Sequence, residues 1–340
     1  MAADMESIPL AVLDSVIYGA ARAFDYLGQN RGQEMLDRIG NGIIDYGVKM
    51  NYLRLSKDPY QSISELIRFF KTNGYVSEIE FSPDGEAFLV KMHGWRFMGL
   101  MKKLRNQSCY LLTCPLCLAR DAMERAEQRG AQILSEGVSP DGTYSLRFRH
   151  VPPADSVLTA PIHANLAAIP PTDYSNTKVG LPTFETVEYG LACGFEYLGA
   201  QAQLLLDNIG RGIIEFIQDE LHTTIPQDYE ESLRKLAEVY VSQGLSDKIY
   251  FDLSGSEVKF EFKNYRYYPV LKLLLEEDHP LTSCPFILTA RGIFRDNGFL
   301  ASSMNWTLGE GKDATLAMKL LKASDQRFDE EKVADLMESA

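Results

Sequence analysis

The sequence is poor in the residues that usually announce a function. It has five cysteines and five histidines among 340 residues, and no run of about 18 apolar residues. The missing apolar run predicts no membrane-spanning helix. The first residues, MAADMESIPLAVLDSV, carry neither a basic stretch nor an apolar core, which predicts no secretory signal. Five cysteines do not make a disulfide framework, so reduced thiols in a cytoplasm are expected. His93, His150, His163, His222 and His279 show no HxxxH or HExxH spacing, and GxSxG, Walker and EF-hand motifs are absent. An enzyme built on a familiar nucleophile or metal motif is therefore not expected. Basic residues are also outnumbered, 34 against 47 acidic, for a net charge of −13. That argues against a nucleic-acid partner held by phosphate contacts. The 45% hydrophobic and 24% charged content is that of a folded chain and excludes disorder as the main state.

What the sequence does have is an internal repeat. Tyr18–Gly28 (YGAARAFDYLG) and Tyr189–Gly199 (YGLACGFEYLG) share seven of eleven residues, as do Leu36–Tyr46 (LDRIGNGIIDY) and Leu206–Phe216 (LDNIGRGIIEF). The offset is 171, then 170, and it holds onward through Gly74/Gly244, Phe81/Phe251 and Cys114-Pro115/Cys284-Pro285. A period near 170 is too long for a solenoid unit and marks a duplicated domain. The expected division is a first domain over 1–150, a linker over 151–182 with six prolines, a second domain over 183–322, and an acidic helix or tail over 323–340.

Periodicity gives each copy the same order. Copy one reads as helices over 10–30, 32–49 and 63–73, a hairpin of 76–81 and 86–92 around Ser-Pro-Asp-Gly, a helix over 95–105, a helix from Cys114-Pro115 to Gly130, and a hairpin of 132–137 and 143–149. Copy two repeats it. Hairpins imply an antiparallel sheet, so the expected class is α+β: two duplicated domains, each a small sheet packed with helices in the order ααα-ββ-αα-ββ.

Three constellations could carry chemistry. Cys109, Cys114 and Cys117 have the spacing C-x4-C-x2-C, the first three ligands of a two-iron ferredoxin or a partial zinc site. Copy two keeps only Cys284, and the flanking leucines read as core, so the expectation is no metal or cluster and no cofactor. Cys114 and Cys284 each precede a proline at a helix start, where the dipole lowers a thiol pKa. They are either reactive thiols or small buried residues. The third is aromatic: His93, Trp95 and Phe97 follow the first hairpin of copy one, and Tyr265 and Tyr267 stand at the equivalent places. Strand alternation would put His93, Trp95 and Phe97 on one side, lining an apolar pocket with a polar handle. The competing reading is core packing. The glycines of Ile39-Gly40-Asn41-Gly42 and Ile209-Gly210-Arg211-Gly212 follow a helix and lack a third glycine, so they read as close helix packing and not as a dinucleotide fingerprint.

The stretch from Cys284-Pro285-Phe286, through a helix with Gly292 inside it, to a strand, a glycine-containing turn and a last strand resembles the carboxy-terminal half of 4-vinyl reductase (4VR) domains, also called hydrocarbon-binding domains. That family is similar in fold to the Bet-type subunits of the TRAPP tethering complex. The resemblance implies a small apolar ligand held between helices and sheet, with Cys114 and Cys284 in the place of the family's first cysteine. The metal-binding members take two further cysteines from the last hairpin, and neither 131–149 nor 301–321 has one. The expected function is non-enzymatic binding or sensing of a small hydrophobic molecule (aromatic, lipid or tetrapyrrole-like) at His93, Trp95, Phe97, Tyr265 and Tyr267, with output through a protein partner. The alternatives are a scaffold with filled pockets, or an accessory enzyme of tetrapyrrole (vinyl-reductase-like) or aromatic metabolism. The two copies are expected to pair as an internal pseudo-dimer, with a homodimer as a further option.

Overall fold

A computed structural model describes residues 6–24, 29–107, 109, 114–152, 155, 166–197, 202–279 and 283–325. The chain is α+β, and its two halves have the same element order. After a short strand β1 (Ser7–Pro9), the first half runs α1 (Leu10–Phe24), α2 (Gln29–Lys49), α3 (Pro59–Thr72), β2 (Glu78–Asp84), β3 (Ala87–His93), α4 (Met98–Asn106), α5 (Pro115–Ala126), β4 (Gly130–Val138) and β5 (Tyr144–Val151). After β6 (Lys178–Gly180), the second half runs α6 (Leu181–Glu196), α7 (Ala202–Glu220), α8 (Tyr229–Ser242), β7 (Lys248–Ser254), β8 (Glu257–Lys263), α9 (Tyr268–Glu276), α10 (Pro285–Asp296), β9 (Phe299–Leu308) and β10 (Ala314–Lys322). Each half has a four-stranded antiparallel sheet, ordered β2-β3-β5-β4 and β7-β8-β10-β9. The pairing repeats with the sequence offset: Phe81 faces Val90 and Val90 faces Leu146, as Phe251 faces Phe260 and Phe260 faces Leu316.

Local chemistry sets the boundaries. Asp58 caps α3 by accepting from the Tyr60 amide at 3.0 Å, with Pro59 in the first turn, and Asp228 caps α8 from the Glu231 amide at 3.0 Å. The Ser-Pro-Asp-Gly turn sits two residues later than its composition predicts. Strand β2 continues through Pro83 to Asp84, which pairs with Ala87, and the loop is Gly85-Glu86. Gly85 supplies the positive φ, +64°, that a two-residue hairpin loop needs, and Pro83 is tolerated because β2 is an edge strand. The helix expected from Trp95 begins only at Met98. Gly94, at φ +55°, turns the chain after β3, and the Arg96 amide donates back to Tyr75 O at 2.9 Å.

The halves exchange helix contacts through glycine. α1 crosses α7 with Gly19 against Gly212: a Cβ on Gly212 would stand 2.8 Å from Gly19 Cα. α6 crosses α2 the same way, with a Cβ on Gly42 2.8 Å from Gly190 Cα. Within each half, Gly40 lets α2 onto α5 and Gly210 lets α7 onto α10. The glycines the repeat preserves are therefore helix-crossing points. Two of the four crossings join one copy to the other, as in a dimer folded into one chain.

The proline-rich segment lies against the folded domains where it is described. Ile169 and Tyr174 are buried, the Tyr174 hydroxyl donates to Asp14 Oδ2 at 3.0 Å, and β6 pairs with β1. Its 3-10 turn, Leu166–Ala168, leads into these contacts. The acidic tail is described only as far as the 3-10 turn Ala323–Asp325, and the rest of that expectation lies outside the described residues. Among the described residues no helix is long and apolar enough to cross a membrane.

Candidate functional site

In copy one, α3 and α5 lie over one face of the sheet without filling the space beneath them. The gap is a cavity of about 160 Å³. Its walls are Ile63, Leu66 and Ile67 from α3, Leu116, Cys117 and Met123 from α5, and Ile79, Val90, Met92 and Leu146 from the sheet. The strand residues are apolar on this face because alternation sends Val90 and Met92 inward and Lys91 and His93 to the other side. Tyr60 and Phe81, both exposed, stand at the edge, with the Arg129 guanidinium 5.8 Å from the Tyr60 ring.

Polar groups reach the same space. Arg120 and Glu124, one turn apart on α5, form an ion pair at 3.8 Å, and Arg120 lies 4.4 Å over the Phe148 ring. His150, at the end of β5, stands edge-on to Phe88 and Phe148 at 4.9 and 5.7 Å. Arg120 Nε, Glu124 Oε2 and His150 Nδ1 are closed off from solvent and make no hydrogen bond. All three residues line the cavity. An apolar space with a few convergent polar groups is the usual form of a small-molecule site.

In copy two the inner part of the same space is filled by substitution, while an open hollow lined by Glu230, Arg234, Ile249 and Phe251 remains at its outer edge, between α8 and β7. At offset 170, Val90, Met92 and Leu116 become Phe260, Phe262 and Phe286, and Glu124 becomes Phe294. All four rings are buried. Phe286 stands edge-on to Phe260 and Phe262 at 5.2 and 5.4 Å. Arg120 and His150 become Ala290 and Leu320. Where copy one has a cavity with polar groups, copy two has a packed aromatic core.

The residues expected to line the pocket lie elsewhere. His93 is on the outer face of β3, where its ring bonds Thr143 Oγ1 at 3.0 Å and approaches Glu80 at 3.3 Å. Trp95 and Phe97 are 3% and 1% exposed and pack together, with Trp95 4.6 Å from the Tyr144 ring. The three do not share one side, because the turn at Gly94 ends the extended chain between His93 and Trp95. Tyr265 and Tyr267 are buried and bonded: Tyr265 to Cys284 Sγ at 2.5 Å, Tyr267 to Ser283 Oγ at 3.0 Å. These aromatics close the core at the end of each sheet.

Cys114 and Cys284 hold the N-cap positions of α5 and α10 and are fully buried. Burial pushes both thiols up, Cys284 to about 12 and Cys114 well above its usual range, so the dipole does not make thiolates of them. Cys109 donates to Ala21 O at 3.4 Å, while Cys114 and Cys117 interact with each other. Among the described residues no three histidine, cysteine or acidic side chains come together in a way that could hold a metal ion.

Residues 189–298 match the family described as "Putative rubredoxin C-terminal domain". The match runs from the middle of α6 through α10, stops before the last hairpin of the second copy, and covers about a third of the chain. No curated protein and no solved structure matches. The matched stretch holds two cysteines, Cys193 and Cys284, where a tetrahedral thiolate site for iron or zinc takes four. These residues do not fit such a centre.

Sequence reasoning missed the cavity, although a signal for it existed. Lining up the copies position by position shows large rings facing smaller or charged residues at four places, Val90/Phe260, Met92/Phe262, Leu116/Phe286 and Glu124/Phe294.

Proposed function

We propose that the protein binds a small hydrophobic molecule in the cavity of copy one, as a non-enzymatic binding or sensory protein of the 4VR, hydrocarbon-binding kind, while copy two serves as its structural counterpart. One observation carries this reading: the space that four phenylalanines pack in copy two is left open in copy one, and it is lined there mainly by aliphatic side chains, with Arg120, Glu124 and His150 among them. Leaving it empty forfeits packing. A space near 150 Å³ is large enough to accept one benzene ring. At about 160 Å³ the cavity is therefore sized for a single ring or a short acyl chain. A tetrapyrrole is far too large for it. The scaffold reading fits copy two, whose rings fill its pocket, and it does not account for the open space in copy one.

Titration calorimetry tests the size limit. Burying the roughly 200 Å² of a single ring at ~25 cal/mol per Å² corresponds to a Kd on the order of 0.2 mM. Toluene is expected to bind at about one per chain with that strength, and biphenyl not to bind. Equal heats for both, or none for toluene, would refute the assignment.

A further inference from the structure

Resting on that reading, we infer that the ligand of copy one is an uncharged single-ring molecule whose polar end both donates and accepts a hydrogen bond, and that Arg120, Glu124 and His150 receive that end. Three observations on the same spot carry the inference. Arg120 Nε is a buried donor without an acceptor, and Glu124 Oε2 is a buried acceptor without a donor. Closed-off polar atoms normally find partners, so a donor and an acceptor facing one cavity suit a ligand group that can bond both. The Arg120 Nε and Glu124 Oε2 atoms form an ion pair at 3.8 Å, beyond hydrogen-bond distance and close enough for one hydroxyl or one carboxamide to reach both. A hydroxyl would donate to Glu124 and accept from Arg120. A carboxamide would do the same with its NH2 and its C=O. His150 Nδ1, also without a partner, supplies a third contact from the sheet side.

Charge decides that the ligand is neutral. The charged side chains on the cavity are Arg120 and Arg129 against Glu124 and Glu127, which balance. A carboxylate would meet Glu124 and Glu127 in a space of low dielectric, and an ammonium would meet Arg120 and Arg129. Copy two supports the pairing of polar end with cavity, since Ala290, Phe294 and Leu320 replace all three polar residues where the cavity is filled. The polar groups and the open space come and go together.

The test compares single-ring probes by calorimetry on the full chain: toluene, benzyl alcohol, benzamide, benzoate and benzylammonium. Hydrogen bonds to charged groups predict benzyl alcohol and benzamide binding at least about tenfold tighter than toluene, and both ions binding more weakly than either neutral polar probe. In Glu124→Gln, whose shape is kept and whose melting temperature is checked, Arg120 loses its counter-charge. Benzoate should then gain at least about tenfold over wild type, and more than toluene gains. Benzamide and benzyl alcohol binding no better than toluene would overturn the polar-end assignment and leave the cavity reading standing. Benzoate binding best to the wild type would overturn the claim of neutrality. No binding by any probe would overturn the cavity reading itself.

Discussion

Val90→Phe with Leu116→Phe will abolish toluene binding without weakening the fold. These are the residues copy two carries at the same places, where Phe260 and Phe286 sit edge-on at 5.2 Å between the same elements. The rings enter space that is already open, so the usual penalty for overpacking is small. At ~24 cal/mol per Å³ of cavity, filling all of its 160 Å³ would be worth at most about 4 kcal/mol. Two rings fill part of it, so the expected change in unfolding free energy lies between zero and about +2 kcal/mol. Calorimetry and urea denaturation on the same preparation decide the matter. A variant that is destabilised by several kcal/mol, or that still binds toluene, contradicts the equivalence of the two pockets.

Gly210→Val will have the largest effect on stability. A Cβ at Gly210 would overlap the carbonyl oxygen of Leu288 and stand 2.7 Å from the Gly292 amide nitrogen. Both are backbone atoms of α10, so no rotamer change relieves the clash, and α10 must move off α7. Overpacking against backbone is expected to cost at least about 3 kcal/mol and to lower the yield of folded protein. Gly137→Ala is the control: the nearest atom to its Cβ is Ser145 Oγ at 3.5 Å, an ordinary contact, and the expected change is within about 0.5 kcal/mol. Similar urea midpoints for the two variants would show that the glycines of the repeat are not there for close helix approach.

The fold was largely legible from the sequence, and the site was not, for different physical reasons. Helices and strands announce themselves through periodicity, and the duplication let each half check the other, so the order ααα-ββ-αα-ββ and the antiparallel sheets follow from the residues alone. Boundaries slipped where one backbone angle decides. Gly85 places the hairpin loop later than proline and aspartate suggest, and Gly94 turns the chain before Trp95 can continue the strand. The glycines Gly40, Gly42, Gly210 and Gly212 were readable as packing residues, but which helices they join is a tertiary fact. The linker prolines gave no hint that Tyr174 would donate to Asp14 across the molecule.

Aromatic residues in the sequence suggest a pocket, and in this fold aromatic rings are what closes space. Trp95, Phe97, Tyr265 and Tyr267 fill the ends of the two cores, and Phe260, Phe262, Phe286 and Phe294 fill the pocket of copy two. The open space is created by the smaller residue of each pair, and Val90 or Leu116 alone looks like any core position. Arg120 and Glu124 look like an ordinary surface pair one turn apart on a helix. Only the fold shows that this turn of α5 lies over Phe148 and that His150, two residues further along β5, stands edge-on to the same ring.

The most direct test of the central claim is a crystal structure of the wild-type chain soaked with bromobenzene, read by the anomalous signal of bromine. A single strong peak is expected between α3, α5 and the sheet of copy one, within van der Waals reach of Val90, Leu116 and Met123. No peak is expected at the matching place in copy two, among Phe260, Phe286 and Ile293. Bromine in both copies, or in neither, would contradict the account.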